Sequence, residues 1–512
     1  VTNTVTSTVK RLVRIAAVAW LCAGAFASRG LDAFDDAKAK LASSDGRQRR
    51  AAVGELARLA SDDAWRLVIG ALADPDAQVA DEAQLQIAKL DDAGVRKLLL
   101  GKDGLEAKNA LVRERVAESF GRRASRPPME VLAAPLDDRD APVRRAAAWS
   151  IERLVRASRF EGAWDASMIE MSALEAALFA QAGREKDAET HAALMVAHQL
   201  LLGTPRRRDL DALMASKSAA ARSAAAIVLH LAPTDDSLEL VSKLSGDSVL
   251  GVRVNCARAL AALGSKGAAL ALVGMLERES ELRAKWLYVE HLRALSGLQH
   301  RLDPRPWRDW AQNLPEGALE APKSRAAKDD GAASSAFVGL PILSERVAFL
   351  IDLSGSMWEK RADGRTRKQR VDEELARALR SLAPQVKFNV VVYTSKPVAW
   401  KERLTPAAPK AIEEALAFFE KRKDQGKGDF WGAFEFALAD PEIDTVIVLS
   451  DGAPSGGQRW NLELLKERFA ERTRFRPVVL EAVLADSSNR LREYWIEMCG
   501  SSGGRVVEVK LE

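Results

Sequence analysis

Residues 346–357 read RVAFLIDLSGSM, and residues 445–452 read TVIVLSDG. Each is a short run of aliphatic and β-branched residues that ends abruptly in Asp, Ser and Gly. Uninterrupted apolar runs of this length suit strands buried on both faces, and the glycines let the chain turn tightly after them. Three further runs have the same character, VKFNVVVYT at 386–394, VVLEAVLA at 478–485 and RVVEVK at 505–510. Between the strands lie helix-spaced amphipathic stretches such as KQRVDEELARALRSL and PKAIEEALAFFEKR. Alternating strands and helices predict a mostly parallel, doubly wound α/β sheet covered on both faces. In such sheets ligands bind beyond the carboxyl ends of the strands, near the switch in strand order.

The polar residues fall at those carboxyl ends. Asp352, Ser354 and Ser356 close the first run, and Asp451 closes another 99 residues later. Two carboxylates and two hydroxyls form an all-oxygen cluster, suited to a hard divalent ion such as Mg²⁺, or to Mn²⁺ or Ca²⁺. A helix-capping turn after a strand is the plainer reading of Asp352, Ser354 and Ser356, but it leaves Asp451 unexplained.

This pattern resembles a von Willebrand factor type A domain with its metal-ion-dependent adhesion site. The resemblance spans about residues 337–512 and includes the glycine-rich turn SSGGRVVEVK before the last strand. It implies direct coordination by Ser354 and Ser356, with Asp352 and Asp451 acting through waters. A free metal position would then accept a carboxylate from a protein partner. One element departs from the pattern, because Gly428 stands where the family supplies a Thr. Asp429 follows it and either supplies an oxygen in its place or points elsewhere. A third carboxylate would make the site more negative and favour Ca²⁺. A metal-free domain kept as an interaction module is the alternative.

Upstream, a different pattern recurs from about residue 30 to 313: an acidic turn, an apolar-basic step, then helix-spaced Ala and Leu. DPDAQVADEAQLQIAKL from Asp74, DRDAPVRRAAAWSIERL from Asp138 and DSVLGVRVNCARALAAL from Asp247 show it best. The step residues Val79, Val112, Val143, Ala221, Val252 and Leu282 are 33, 31, 78, 31 and 30 apart. Such periods mean stacked helical units that bury apolar faces against their neighbours, the long interval holding two irregular ones. These units resemble short HEAT repeats, in which the turn Asp and the Arg after the apolar step bridge neighbouring repeats. Asp140 with Arg144 and Asp247 with Arg253 are the best local matches. Trp307 and Trp310 are expected to seal the last apolar face. Residues 314–336, rich in Ala, Pro, Gly and charge, read as a linker.

Residues 1–27 hold Lys10, Arg11 and Arg14, a short apolar run and Ala25-Phe26-Ala27, which predict an export leader cleaved after Ala27. An uncleaved anchor is the alternative, and only then is a membrane partner expected. Cys256 and Cys499 are expected to remain unpaired.

Other functions find less support. Lys+Arg 76 against Asp+Glu 72 leaves a net charge of +4, so the chain as a whole carries no nucleic-acid signature. The basic runs at Arg47–Arg50 and Arg206–Arg208 lack interleaved aromatics and read as solvated faces. All five histidines precede residue 301, and none forms a His-x-x-x-His pair. The chain has no Gly-x-Ser-x-Gly or phosphate-loop motif, and the half bearing the candidate site has no histidine for general-base work. A hydrolase would have to rely on carboxylates and metal alone. The expected function is therefore that of an exported, non-enzymatic interaction or adhesion protein, with an envelope scaffold as the alternative.

Overall fold

The computed structural model describes residues 32–123, 127, 129–159, 171–317, 319, 335–360, 363–452, 454–485 and 488–509. The expected leader, 1–27, and most of the expected linker, 318 and 320–334, lie outside the described residues. The chain divides into two compact units, Val1–Val131 and Leu132–Glu512.

The region from Gly46 to Gln312 is built of short helices joined by tight turns. Side-chain caps start many of them. Asp45, Asp76, Asp187, Ser218 and Ser265 each accept a backbone N–H from the first turn of the helix that follows. Each such cap is worth about 1 kcal/mol. The long 78-residue interval holds the helix pair Ala141–Arg159 and Met171–Arg184, then Ala188–Leu202 and Arg207–Met214.

An arginine recurs at the start of four helices and makes the same two contacts. In Val1–Val131, Arg49 reaches Asp74 at 2.8 Å and donates to Ser43 O at 3.0 Å. In Leu132–Glu512, Arg144 pairs with Glu185 at 2.6 Å, Arg222 with Asp247 at 2.5 Å and Arg253 with Glu279 at 2.8 Å. Each of these also donates to the carbonyl six residues before it, on Asp138, Ser216 and Asp247. One guanidinium thus closes its own turn and holds the acid of a later one. Its fixed fork of donors suits both tasks, which a lysine could not combine.

Trp307 is fully buried, donates from Nε1 to Arg301 O at 2.7 Å and meets His300 and Trp310 edge to face. Cys256 and Cys499 are both buried and free.

The C-terminal part opens with a two-stranded ribbon, β1 (Ala336–Phe337) and β2 (Leu340–Pro341). The main sheet holds β3 (Arg346–Asp352), β4 (Lys387–Tyr393), β5 (Pro397–Ala399), β6 (Thr405–Pro406), β7 (Thr445–Ser450), β8 (Val479–Ala485) and β9 (Val506–Val509). Its order is β5-β4-β3-β7-β8-β9, with β6 also on β4. β4, β3, β7, β8 and β9 run parallel, whereas β5 and β6 pair antiparallel at the edge. The five expected strands are all present, and the antiparallel edge is an addition: β5 and β6 are too short to carry an apolar signal. Alternate residues feed two cores. Phe349, Ile351, Val390 and Leu449 pack beneath helices Arg367–Arg380 and Pro409–Glu420. Leu350, Val391, Val448 and Leu484 face helices Phe430–Leu438, Leu462–Thr473 and Asn489–Ser501.

Within Leu132–Glu512 the helical part grips the sheet at the amino ends of its strands. Asn255 Nδ2 donates to Arg474 O at 2.9 Å and Ser223 Oγ to Phe475 O at 3.0 Å, both on the turn leading into β8. Gly251 permits this approach, since a β-carbon there would stand 3.1 Å from Pro477 and 3.2 Å from Phe475 O. Arg283 penetrates furthest, donating to Thr445 Oγ1 at 3.0 Å and lying 3.2 Å from the fully buried Glu481, which Arg505 also reaches at 3.1 Å. The opposite, carboxyl ends of the strands are where the candidate site lies.

Candidate functional site

β3 lies between β4, the next main strand in sequence, and β7, so the strand order reverses at β3. A crevice at the carboxyl ends follows from that topology, and both apolar runs empty their polar residues into it. Asp352 is 3% exposed at the end of β3, level with Tyr393 at the end of β4. Its Oδ1 accepts the Ser354 N–H at 2.8 Å, and its Oδ2 accepts the Ser450 hydroxyl at 3.0 Å. Ser354 Oγ and Ser356 Oγ are 3.3 Å apart. Burial raises the Asp352 pKa to about 6, with the nearby Asp451 adding to the rise and the hydrogen bonds from Ser354 and Ser450 opposing it. A second carboxylate, that of Asp451, therefore lies within electrostatic reach. The same feature makes this a place where a cation would be welcome.

Asp451 carries its own cation. Arg367, at the start of its helix, donates to Asp451 Oδ2 at 3.2 Å and to Ser356 O at 3.1 Å. Sequence reasoning missed this arginine, because nothing in its local sequence says that the capped helix start at Thr366 sits over the strand ends. Tyr393 was missed as well. Its hydroxyl is buried beside Ser450 and the Asp352 carboxylate, and burial pushes its pKa up. Its place as the last residue of β4, in register with Asp352, was the available signal.

The 426–429 loop closes the crevice. Gly355 donates to Gly426 O at 3.3 Å, and Asp429 donates from its backbone to Thr394 O at 2.8 Å. Ser455 Oγ accepts from Gly428 N at 2.8 Å, while Ser455 N and Gly456 N donate to Gly428 O. A β-carbon on Gly428 would stand 3.4 Å from Asp352 Oδ2 and 3.5 Å from Oδ1. A side chain at 428 would thus be directed at the carboxylate, and Gly428 leaves that space open. Asp429 lies within electrostatic reach of Tyr393, while its Oδ1 caps helix Phe430–Leu438 through Gly432 N at 2.8 Å and packs against Gly457, where a β-carbon would be 1.9 Å away. Burial raises the Asp429 pKa, partly offset by that cap.

Among the described residues no group of three or more His, Cys, Asp or Glu is placed to hold a metal. The strand-end cluster is of another kind, two carboxylates and two hydroxyls, with a third hydroxyl on Ser450. Its donor chemistry fits a hard ion. Ser354, Ser356, Asp352 and Asp451 are the residues that would hold one, which would supply a positive centre for a further oxygen ligand.

No family model matches the chain. A segment of it is similar to the inter-alpha-trypsin inhibitor heavy chains: 29% identical over 132 residues to heavy chain H3 of Homo sapiens, covering 23% of this chain and 14% of that one. Heavy chain 4 of Mus musculus is 28% identical over 131 residues, covering 23% and 13%. The match thus spans about a seventh of the length of these relatives. Among solved structures, an aerotolerance-related membrane protein from Bacteroides fragilis aligns with 32% of this chain and 92% of its own, at 14% identity and a TM-score of 0.26. Among the described residues no helix is long and apolar enough to cross a membrane.

Proposed function

We propose that the C-terminal domain, from about residue 337, is a von Willebrand factor type A domain that captures a protein partner through a divalent ion at the strand ends. The observation that carries this reading is the convergence of Asp352, Ser354, Ser356 and Ser450 in one hydrogen-bonded cluster, with Asp451 in electrostatic reach. Mg²⁺ is the preferred ion, with Mn²⁺ or Ca²⁺ as alternatives, and an acidic side chain of the partner is the expected further ligand. The likeness to inter-alpha-trypsin inhibitor heavy chains supports a role in protein interaction. Capture of a partner's carboxylate by an ion needs no general base, and the role proposed for the cluster is binding. The remaining organisation is proposed as an export leader at 1–27, a HEAT-like array at 30–313 and a linker at 314–336, in a protein of the cell envelope or its exterior. The recurring arginine contacts support the array.

A metal-free interaction module is the second reading, favoured by the Arg367 guanidinium on Asp451. Isothermal titration of the full chain with Mg²⁺, Mn²⁺ and Ca²⁺ separates the two. Saturable binding that Asp352→Ala abolishes supports the first, and a folded chain that takes up none of the three ions refutes it.

A further inference from the structure

A second polar site lies far along the chain from the strand-end cluster. A cavity of about 310 Å³ opens where helices Ala141–Arg159, Ala219–Leu231 and Leu250–Leu263 meet the helix Leu462–Thr473. Arg156, Arg258 and Arg474 line it with His230, and Trp149, Ile227 and Leu231 give it an apolar wall. Both acids of the lining face arginines, although Glu471 Oε2 is buried without a hydrogen bond. Glu152 accepts from Arg474 Nη1 at 2.5 Å, and Glu471 lies 3.7 Å from both Arg145 and Arg468, which are not in the lining.

The cations are not balanced to the same degree. Arg474 uses one nitrogen on Glu152, while its Nε and Nη2 are buried without a hydrogen bond. Arg258 is half-buried, and neither it nor Arg156 has an ion pair or hydrogen bond among the described residues. Burial alone acts on Arg258, lowering its pKa with no acid to oppose it. A guanidinium stays charged at any ordinary pH, so a half-buried one without a counter-ion is a standing cost to the fold. Arg144, Arg222 and Arg253 in this region are each matched with an acid. Arg258 is placed as they are not.

We propose that this cavity binds a small organic oxyanion, a phosphate or carboxylate, with Arg258 and Arg156 on the charged group and its apolar body against Trp149. Guanidinium forks match the paired oxygens of both groups, and the volume is at the lower end of small-molecule sites. The site is independent of the metal reading.

Titration calorimetry of the full chain with phenyl phosphate, benzoate and inorganic phosphate tests the proposal. Saturable binding of phenyl phosphate or benzoate is expected, the stronger of the two naming the oxyanion, with inorganic phosphate weaker for want of the apolar wall. Arg258→Met should weaken binding about 10-fold or more, and Arg156→Met, at an exposed position, should weaken it several-fold without touching the fold. Arg258→Met should also melt no lower than the parent chain when ligand is absent, since it removes an uncompensated charge. No binding by either organic anion, equal binding by both variants, or a lower melting temperature for Arg258→Met overturns the proposal.

Discussion

The helical region and the sheet domain use charge in opposite ways. In the helices Arg49, Arg144, Arg222 and Arg253 each meet an acid and a carbonyl, the same arrangement four times over. At the strand ends Asp352 is buried with hydrogen bonds but no cation, and it is held near a second carboxylate. Charge that repeats and is balanced holds the fold together. Charge that occurs once and is left short of a partner is where we propose that an ion is taken up. The comparison sharpens the reading of both regions, and the following experiments can break it.

The largest effect is expected at Arg283, which reaches the fully buried Glu481 of the sheet. Removing it leaves the fully buried Glu481 with Arg505 alone. Breaking a buried pair typically costs about 3–5 kcal/mol, so Arg283→Ala should lower the denaturation midpoint sharply. A loss below about 1 kcal/mol would mean that the two parts of Leu132–Glu512 do not depend on this contact.

Arg253→Ala should cost less, about 1–3 kcal/mol, because Tyr288 still donates to Glu279 at 2.8 Å. It should leave the metal uptake proposed for the strand ends unchanged. If uptake fell with stability intact, the division between structural and binding charge would fail.

Acid should unfold the protein in two stages set by different groups. Burial, with Arg258 and His230 adding to it, carries the His291 pKa down to about 4. Its neutral form is the one the fold accommodates, so its stabilisation is complete above about pH 6.5 and is lost as pH falls toward 4. Glu185 behaves differently: burial alone would raise its pKa, but hydrogen bonds from Arg144 and the Asp187 N–H bring it down to about 2. Its contribution is complete above about pH 4.5 and is lost as pH falls toward 2. Melting temperatures of His291→Gln and Glu185→Gln across pH 7 to 3 should each lose the slope of their own window. Variants that track the parent chain throughout would assign acid lability to other groups.

Much of this division was legible in the sequence. The five strand runs and the polar ends at Asp352 and Asp451 follow from apolar patterning, which is a local property, whereas the strand order that reverses at β3 does not. The acidic turn and following arginine were visible for the same reason, although the partner of Arg144 is Glu185, 41 residues away, and not an Asp one repeat on. What was not legible depends on packing across long stretches of chain. Arg367 over Asp451, Arg283 against Glu481 and the unbalanced Arg258 have ordinary local sequences. Their roles arise only when helices are laid against the sheet.

Gly428 joins both kinds of information and gives the smallest expected effect. The sequence marks it as the position lacking the hydroxyl of similar domains, and the structure directs its missing side chain at Asp352. Its backbone is not in the left-handed region, and the space at 3.4 Å is ordinary van der Waals contact, so a larger residue is admissible. Gly428→Thr should then fold and tighten Mg²⁺ binding by up to about 10-fold, the scale on which residues around metal ligands act. Gly428→Ala adds the carbon without the oxygen and should give no gain. Equal affinity in the two variants would show that the hydroxyl is not what this crevice lacks, and that Arg367 on Asp451 is the feature limiting the ion.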